Sequence, residues 1–290
     1  MSSSTLRPLF RGLALAAVAL VAACGGDSGG PSSPSNPDPD PIPSPTPEPP
    51  GPGPVSGLEG RAIFGLTCAN QLVLFGSGNP DELQRQVQIS GMSAGAVMVG
   101  IDFREGDLYG VGTDSRVYTV DTLTGAATAV GGAFSPALSG EHFGMAYDPG
   151  HDVLRVASVE SNQNLEIDPA TGAVAAARPD LAFAAGDEHE GANPAMAAEA
   201  YHGSALYGIE ANENLLVMAS AETGALITIA DLPFNVYLCS GMDVDSDGTA
   251  YAALGTDNGS QLFTIDLGSG VPTYLGDIAG PPVHSIAVRP

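Results

Sequence analysis

The chain has 290 residues, with 33 acidic side chains against nine arginines and no lysine, for a formal net charge of −24. That balance repels nucleic acid and anionic membrane surfaces, with no basic stripe to offset it, and suits a solvated acidic surface, a salty habitat or cation association. A hydrophobic content of 43% is ample for the core of one domain of ordinary size.

The first eleven residues carry Arg7 and Arg11 and no acid, and an apolar run follows at 13–23. Eleven residues are too few to span a bilayer as a helix but suit the core of a secretory signal. The run ends Val21-Ala-Ala-Cys24-Gly25, small residues directly before a cysteine, which resembles the lipobox of bacterial lipoproteins. The resemblance implies a signal peptide at 1–23 and a lipidated Cys24 as the first mature residue. The chain would then be held by its lipid on a membrane of the cell envelope, periplasmic or surface-exposed. The alternative is an ordinary signal peptide cut nearby, with Cys24 incidental. After cleavage, seven arginines face 33 acids, a net of −26.

Residues 24–57 are Gly/Ser-rich and then proline-alternating, as in Pro37-Asp-Pro-Asp-Pro41. Such a segment builds no core and is expected to be extended; some thirty residues at ~3.1 Å each reach up to ~90 Å. A proline-rich ligand for a partner is the other reading.

Residues 58–290 form the folded domain, and its pattern is clearest between Val99 and Gly131. Four short β-type runs lie at 99–103, 108–112, 116–121 and 126–131. The alternation of Arg116-Val-Tyr-Thr-Val-Asp121 fits a strand with one covered face. Asp121 followed by Thr124-Gly125 is hairpin chemistry, because Asp accepts from backbone N–H groups ahead of it and Gly tolerates positive φ. One such unit cannot bury both its faces, so repeats are expected. The first strand recurs from Gly100, Gly144, Ala198, Gly241 and Ser285, at steps of 44, 54, 43 and 44 residues. The later strands and the closing turn share that period. The chain ends on a first strand without successors, and the domain begins near Arg61 with second to fourth strands that lack a first. Pairing of 283–290 with 61–67 satisfies both ends and predicts an all-β, five-bladed propeller of four-stranded antiparallel blades. The long step leaves an insertion near 178–194, too short for a sixth blade.

With Cys24 lipidated, Cys68 and Cys239 remain, on neighbouring blades and the same face. A disulfide between them would staple the seam, with two free thiols as the alternative. Asp243, Asp245 and Asp247 have the D-x-D-x-D-G spacing of a calcium loop, although Leu254 stands where the EF-hand pattern needs Glu; turn chemistry alone also explains them. No other cofactor is expected. The insertion holds Asp187, Glu188, His189 and Glu190, read as a solvated loop or as metal or acid–base ligands. His142, His189 and His284 lie in connections on one face and could hold Zn²⁺ if they converged. Polar loops at Asn70, Asp114, Asn162, Asn212, Asn214, Asp257 and Asn258 ring the same face and could recognise a sugar or peptide, or serve as ordinary turn residues.

Along the first strands one side is small at each aligned glycine position, and the other is large. Glu199 breaks the large side, and Asp102 and Asp243 sit where the other blades have alanine. Burying a carboxylate unpaired costs several kcal/mol, so Asp102, Glu199 and Asp243 are expected to surround one end of the channel and hold a cation or water, with Arg104 as counter-ion. Local backbone capping is the other reading.

Gly100-Ile-Asp-Phe-Arg104, Leu108-Tyr-Gly110, Ser115-Arg-Val-Tyr-Thr-Val-Asp121, Phe134-Ser-Pro-Ala-Leu-Ser-Gly140, Ala185-Gly-Asp187 and Gly191-Ala-Asn-Pro194 resemble a bacterial family of exported, propeller-like proteins known only as a domain of unknown function. The resemblance covers nearly all of 61–290 and implies export and a propeller-type fold. It carries no catalytic residues. The sequence therefore supports a non-catalytic binding or scaffolding module, expected to be monomeric, with a glycan, peptide or protein ligand. An extracytoplasmic hydrolase or lyase with acidic and His residues on the loop-rich face is the alternative.

Overall fold

A computed structural model describes residues 57–257 and 259–290. The signal peptide expected at 1–23, Cys24, the expected tether up to residue 56 and Asn258 lie outside the described residues. The Gly57 carbonyl accepts from Asn79 Nδ2 at 3.0 Å.

Strands follow the repeat closely. The seam blade contributes β1 (Ala62–Thr67), β2 (Gln71–Gly76) and β3 (Arg85–Gln88). The second holds β4 (Met98–Arg104), β5 (Asp107–Gly112), β6 (Arg116–Val120) and β7 (Ala127–Val130). The third holds β8 (Phe143–Asp148), β9 (Val153–Ser158), β10 (Asn164–Ile167) and β11 (Val174–Arg178). A two-residue β12 (Ala182–Phe183) precedes the fourth blade of β13 (Met196–His202), β14 (Ala205–Glu210), β15 (Leu215–Ala219) and β16 (Ala225–Asp231). The fifth holds β17 (Gly241–Val244), β18 (Ala250–Thr256), β19 (Gly259–Ile265) and β20 (Pro272–Ile278), and the chain ends with β21 (Val283–Val288).

β21 returns to the start and pairs antiparallel with β1, setting Phe64 opposite Ala287 and Gly65 opposite Ile286. The result is a five-bladed β-propeller whose inner strands β4, β8, β13, β17 and β21 neighbour one another in a ring. Sequence periodicity does not reveal that the insertion adds a fifth strand to blade four, β12 running parallel to the outer strand β16. This covers N–H and C=O groups that an edge strand would otherwise present to water.

The core is divided among the blade-to-blade interfaces. Phe64, Leu66, Leu72 and Leu74 of the seam blade pack on Met98, Ile101, Phe103 and Tyr118 of the second. Equivalent apolar layers fill the remaining four junctions. The thin side of each inner strand has a steric cause. A Cβ on Gly100 would stand 2.5 Å from Met145 Cβ, and one on Gly241 would stand 2.7 Å from Ser285 Cα.

The repeated hairpin turns use the expected chemistry. Asp121 Oδ1 accepts from Leu123 N at 2.8 Å and Thr124 N at 2.9 Å. Asp168 and Asp266 repeat the motif. These hydrogen bonds hold all three carboxyls below their ordinary range.

Candidate functional site

All five inner strands contribute to one cavity of about 540 Å³, at the end of the axis where those strands finish. Asp102 and Phe103 come from β4, Tyr147 from β8, Tyr201 from β13, Asp243 from β17 and Val288 from β21. Asp102 lies two residues past the thin position of its strand, and so does Asp243; the period therefore places both at one depth. Each carboxylate joins its own strand to the next. Asp102 accepts from Phe103 N and Tyr147 N, both at 2.6 Å. Asp243 accepts from Val244 N at 2.7 Å and Val288 N at 2.6 Å. Burial pushes the Asp102 carboxyl up to about 7, partly countered by its two N–H donors. Asp243 is raised well above the usual carboxylate range, first by burial and then by the charge of Asp102. Burial also lifts the Tyr147 phenol to about 12, with Asp152 adding to the effect.

Glu199 is elsewhere. Its side chain projects between blades three and four, where its carboxylate lies 3.6 Å from Arg155 Nε, and both side chains are fully buried. Burial raises its pKa, with Arg155 opposing. The pair forms because Glu199 on β13 and Arg155 on β9 face each other across the interface of blades four and three. Arg104 serves neither channel carboxylate: its Nε and Nη2 grip Asp152 at 2.6 and 2.9 Å.

The calcium-type spacing resolves into turn and ion-pair contacts. Asp245 Oδ1 accepts from Asp247 N and Thr249 N. Arg61 reaches Asp245 at 2.9 Å and Asp247 at 2.5 Å, while Asp243 turns to Val288. The oxygens of the three carboxylates do not gather as a ligand set.

At the opposite end of the axis a cavity of about 270 Å³ is lined by His142, His284, Cys68 and Cys239. Cys68 and Cys239 form a disulfide between the seam blade and the entry to the fifth. His142 Nδ1 lies 2.7 Å from Glu160 Oε1. Burial pushes His284 down to about 4. His189 does not join them; it packs on Phe183 at 5.4 Å between ring centroids. Its neighbours are engaged locally, Asp187 with Thr228 N at 2.8 Å and Glu190 with Gly186 N at 2.8 Å.

Some polar loop residues of this face hold backbone, while Asp114, Asn162 and Asp257 bond to the side chains of Tyr118, Asn193 and Tyr237. Asn70, Ser115, Asn162 and Asn214 share a left-handed φ near 60°. Asn70 Oδ1 accepts from Met98 N, Ser115 Oγ from Leu138 N and Asn214 Oδ1 from Val236 N. These side chains hold the following connection in place. Sequence reasoning missed the ring of Phe103, Tyr147, Tyr201, Val244 and Val288 at the other mouth. All five share one register, three residues past the thin position, and that was the available signal.

A family profile described as "Domain of unknown function (DUF4394)" matches residues 71–287. No curated protein matches the chain. A protein of unknown function from Bacteroides caccae is similar at 12% identity, covering 74% of this chain and 72% of that one, with a TM-score of 0.44. A second, from Bacteroides thetaiotaomicron VPI-5482, gives 16% identity, coverage of 80% and 65%, and a TM-score of 0.48. A chain of a nidogen/laminin complex gives 10% identity, coverage of 79% and 98%, and a TM-score of 0.46.

Proposed function

The chain belongs to the DUF4394 family of domains of unknown function, and on that footing we propose that it is an envelope lipoprotein whose propeller binds a ligand without transforming it. The observation that carries this reading is the cavity of about 540 Å³ to which every blade contributes. Tyrosine rings and carboxylates are suited to a neutral, hydroxyl-rich ligand, since rings cover apolar sugar faces while carboxylates accept from hydroxyls. Net negative charge disfavours polyanions. An oligosaccharide is therefore the class to test first. Lipidation at Cys24 would hold the domain on a membrane, and the Cys68–Cys239 disulfide fits an oxidising compartment.

Calorimetric titration of the full chain with neutral oligosaccharides tests the assignment. At least one is expected to bind, and Tyr201→Ala is expected to weaken it tenfold or more, about 1.4 kcal/mol. Binding indifferent to Tyr201→Ala and Asp102→Asn, or none across the panel, contradicts it.

A hydrolase or lyase is the second reading, favoured by one observation: the Asp102 carboxyl near 7 could exchange protons at neutral pH. Against it, both Asp102 oxygens already accept backbone N–H groups, a strand-joining role.

A further inference from the structure

The disulfide at the other end of the axis does not account for what surrounds it. One sulfur of each of Cys68 and Cys239 and one ring nitrogen of His284 all lie within 4.8 Å of one another, the one such group of three found among the described residues. His142 lines the same cavity, outside that 4.8 Å group, on an exposed side chain that would turn inward to complete the set. We propose that, once the disulfide is reduced, Cys68, Cys239, His284 and His142 close a tetrahedral site for a zinc-class divalent cation. This site is separate from the sugar-binding mouth, and neither assignment depends on the other.

Two thiolates and two imidazoles are the ligand set of closed, structural zinc sites. The Cα atoms of Cys68 and Cys239 are 7.4 Å apart, wider than the ~4.4–6.8 Å of most disulfides. A cation at ~2.3 Å from each sulfur holds a tetrahedral pair ~3.8 Å apart, which suits that wider span. The surrounding groups are also those of a metal site. Glu160 holds His142 Nδ1 at 2.7 Å, as outer carboxylates orient ligating imidazoles. The Met98 backbone hydrogen-bonds His284 in the same manner. The framework is fixed as well: Cys68 N donates to the Pro282 carbonyl at 2.8 Å, and Ser240 Oγ donates to the Tyr237 carbonyl at 2.7 Å beside Cys239.

The reductant is a dithiol. One of its thiolates attacks a cysteine sulfur and releases the other cysteine as thiolate; its second thiol then displaces the mixed disulfide. Two electrons and two protons pass to the cysteines, and the dithiol leaves as a cyclic disulfide. Binding of M²⁺ then releases both thiol protons. Cys68 is exposed, which gives the reductant access. Either state links the same two blades.

The test uses the full chain, reduced with a dithiol, freed of it without air and titrated with cobalt(II). One cobalt per chain is expected, with a thiolate-to-cobalt charge-transfer band and tetrahedral visible bands, both removed by zinc(II). The unreduced chain should show neither band. Cys68→Ser with Cys239→Ser should abolish the charge-transfer band, and His284→Ala should weaken binding at least tenfold. If His284→Ala does not fold by circular dichroism, His142→Ala, at an exposed side chain, must weaken binding tenfold instead. Absence of the band overturns the proposal, as does binding by surface acids alone or indifference to the histidine variants. So does a fold lost on reduction that metal does not restore.

Discussion

Single carboxylates in this protein are placed so that their environment, more than their sequence neighbours, sets their behaviour. Asp102 and Asp243 have folded pKa values above their unfolded ones, so the folded state holds their protons more tightly. Their contribution is therefore greatest at acid pH and is lost as pH rises through the folded values. His284 acts oppositely: depressed to about 4, it lowers stability as pH falls from 6.5 towards that value. Above about pH 6.5, where the His284 effect has ended, unfolding free energy should go on declining until Asp102 has titrated near pH 7. Asp102→Asn should flatten that decline in urea melts; an unchanged slope would assign it to other groups. Glu199 obeys a different rule. Glu199→Gln leaves the fully buried Arg155 short of its partner, a loss expected to cost about 3 kcal/mol, whereas replacing both by apolar residues should recover most of it. A double-variant loss equal to the sum of the two single-variant losses would show that the pair is uncoupled.

At the scale of the element, the inner strand is defined by close approach on one side. Gly241→Ala sets a Cβ against the Ser285 backbone and should cost roughly 1–3 kcal/mol. Gly132→Ala meets nothing within 4 Å and should be near neutral by the same thermal melts. If both behave alike, the thin face is not a packing constraint. The inner strands and Asp-x-x-Thr-Gly turns were legible because each follows from local spacing. Glu199 stood out in sequence as an acid in an apolar register, but its partner Arg155 did not, since they meet only across two blades. Two members of the amide rim were not legible for a related reason: Asn70 and Asn214 look like free recognition groups until the next connection arrives to use them. Asp245 and Asp247 likewise matched a cation loop, and Arg61, 186 residues from Asp247, supplies the positive charge. β12 escaped because two residues have no periodicity.

For the whole molecule, closure depends on one strand. β21 supplies the innermost strand of the blade that begins at β1, and Arg289 N donates to the Ala62 carbonyl at 2.9 Å. The disulfide reinforces the same seam across 171 residues, worth roughly 4–5 kcal/mol in the chain-entropy treatment; its reduction should lower the melting temperature without altering ligand binding at the far mouth. Retained affinity after reduction would support independence of the two ends, and lost affinity would show them coupled. Lipidation is tested separately, by metabolic labelling with a fatty-acid probe that Cys24→Ala should abolish. The ring itself is tested most directly by amide hydrogen exchange at the C-terminus. Residues 285–288 should exchange as slowly as β5, through global unfolding alone. Exchange of these amides at unstructured rates, while β5 stays protected, would mean that the last strand is a free tail and the five blades are not closed.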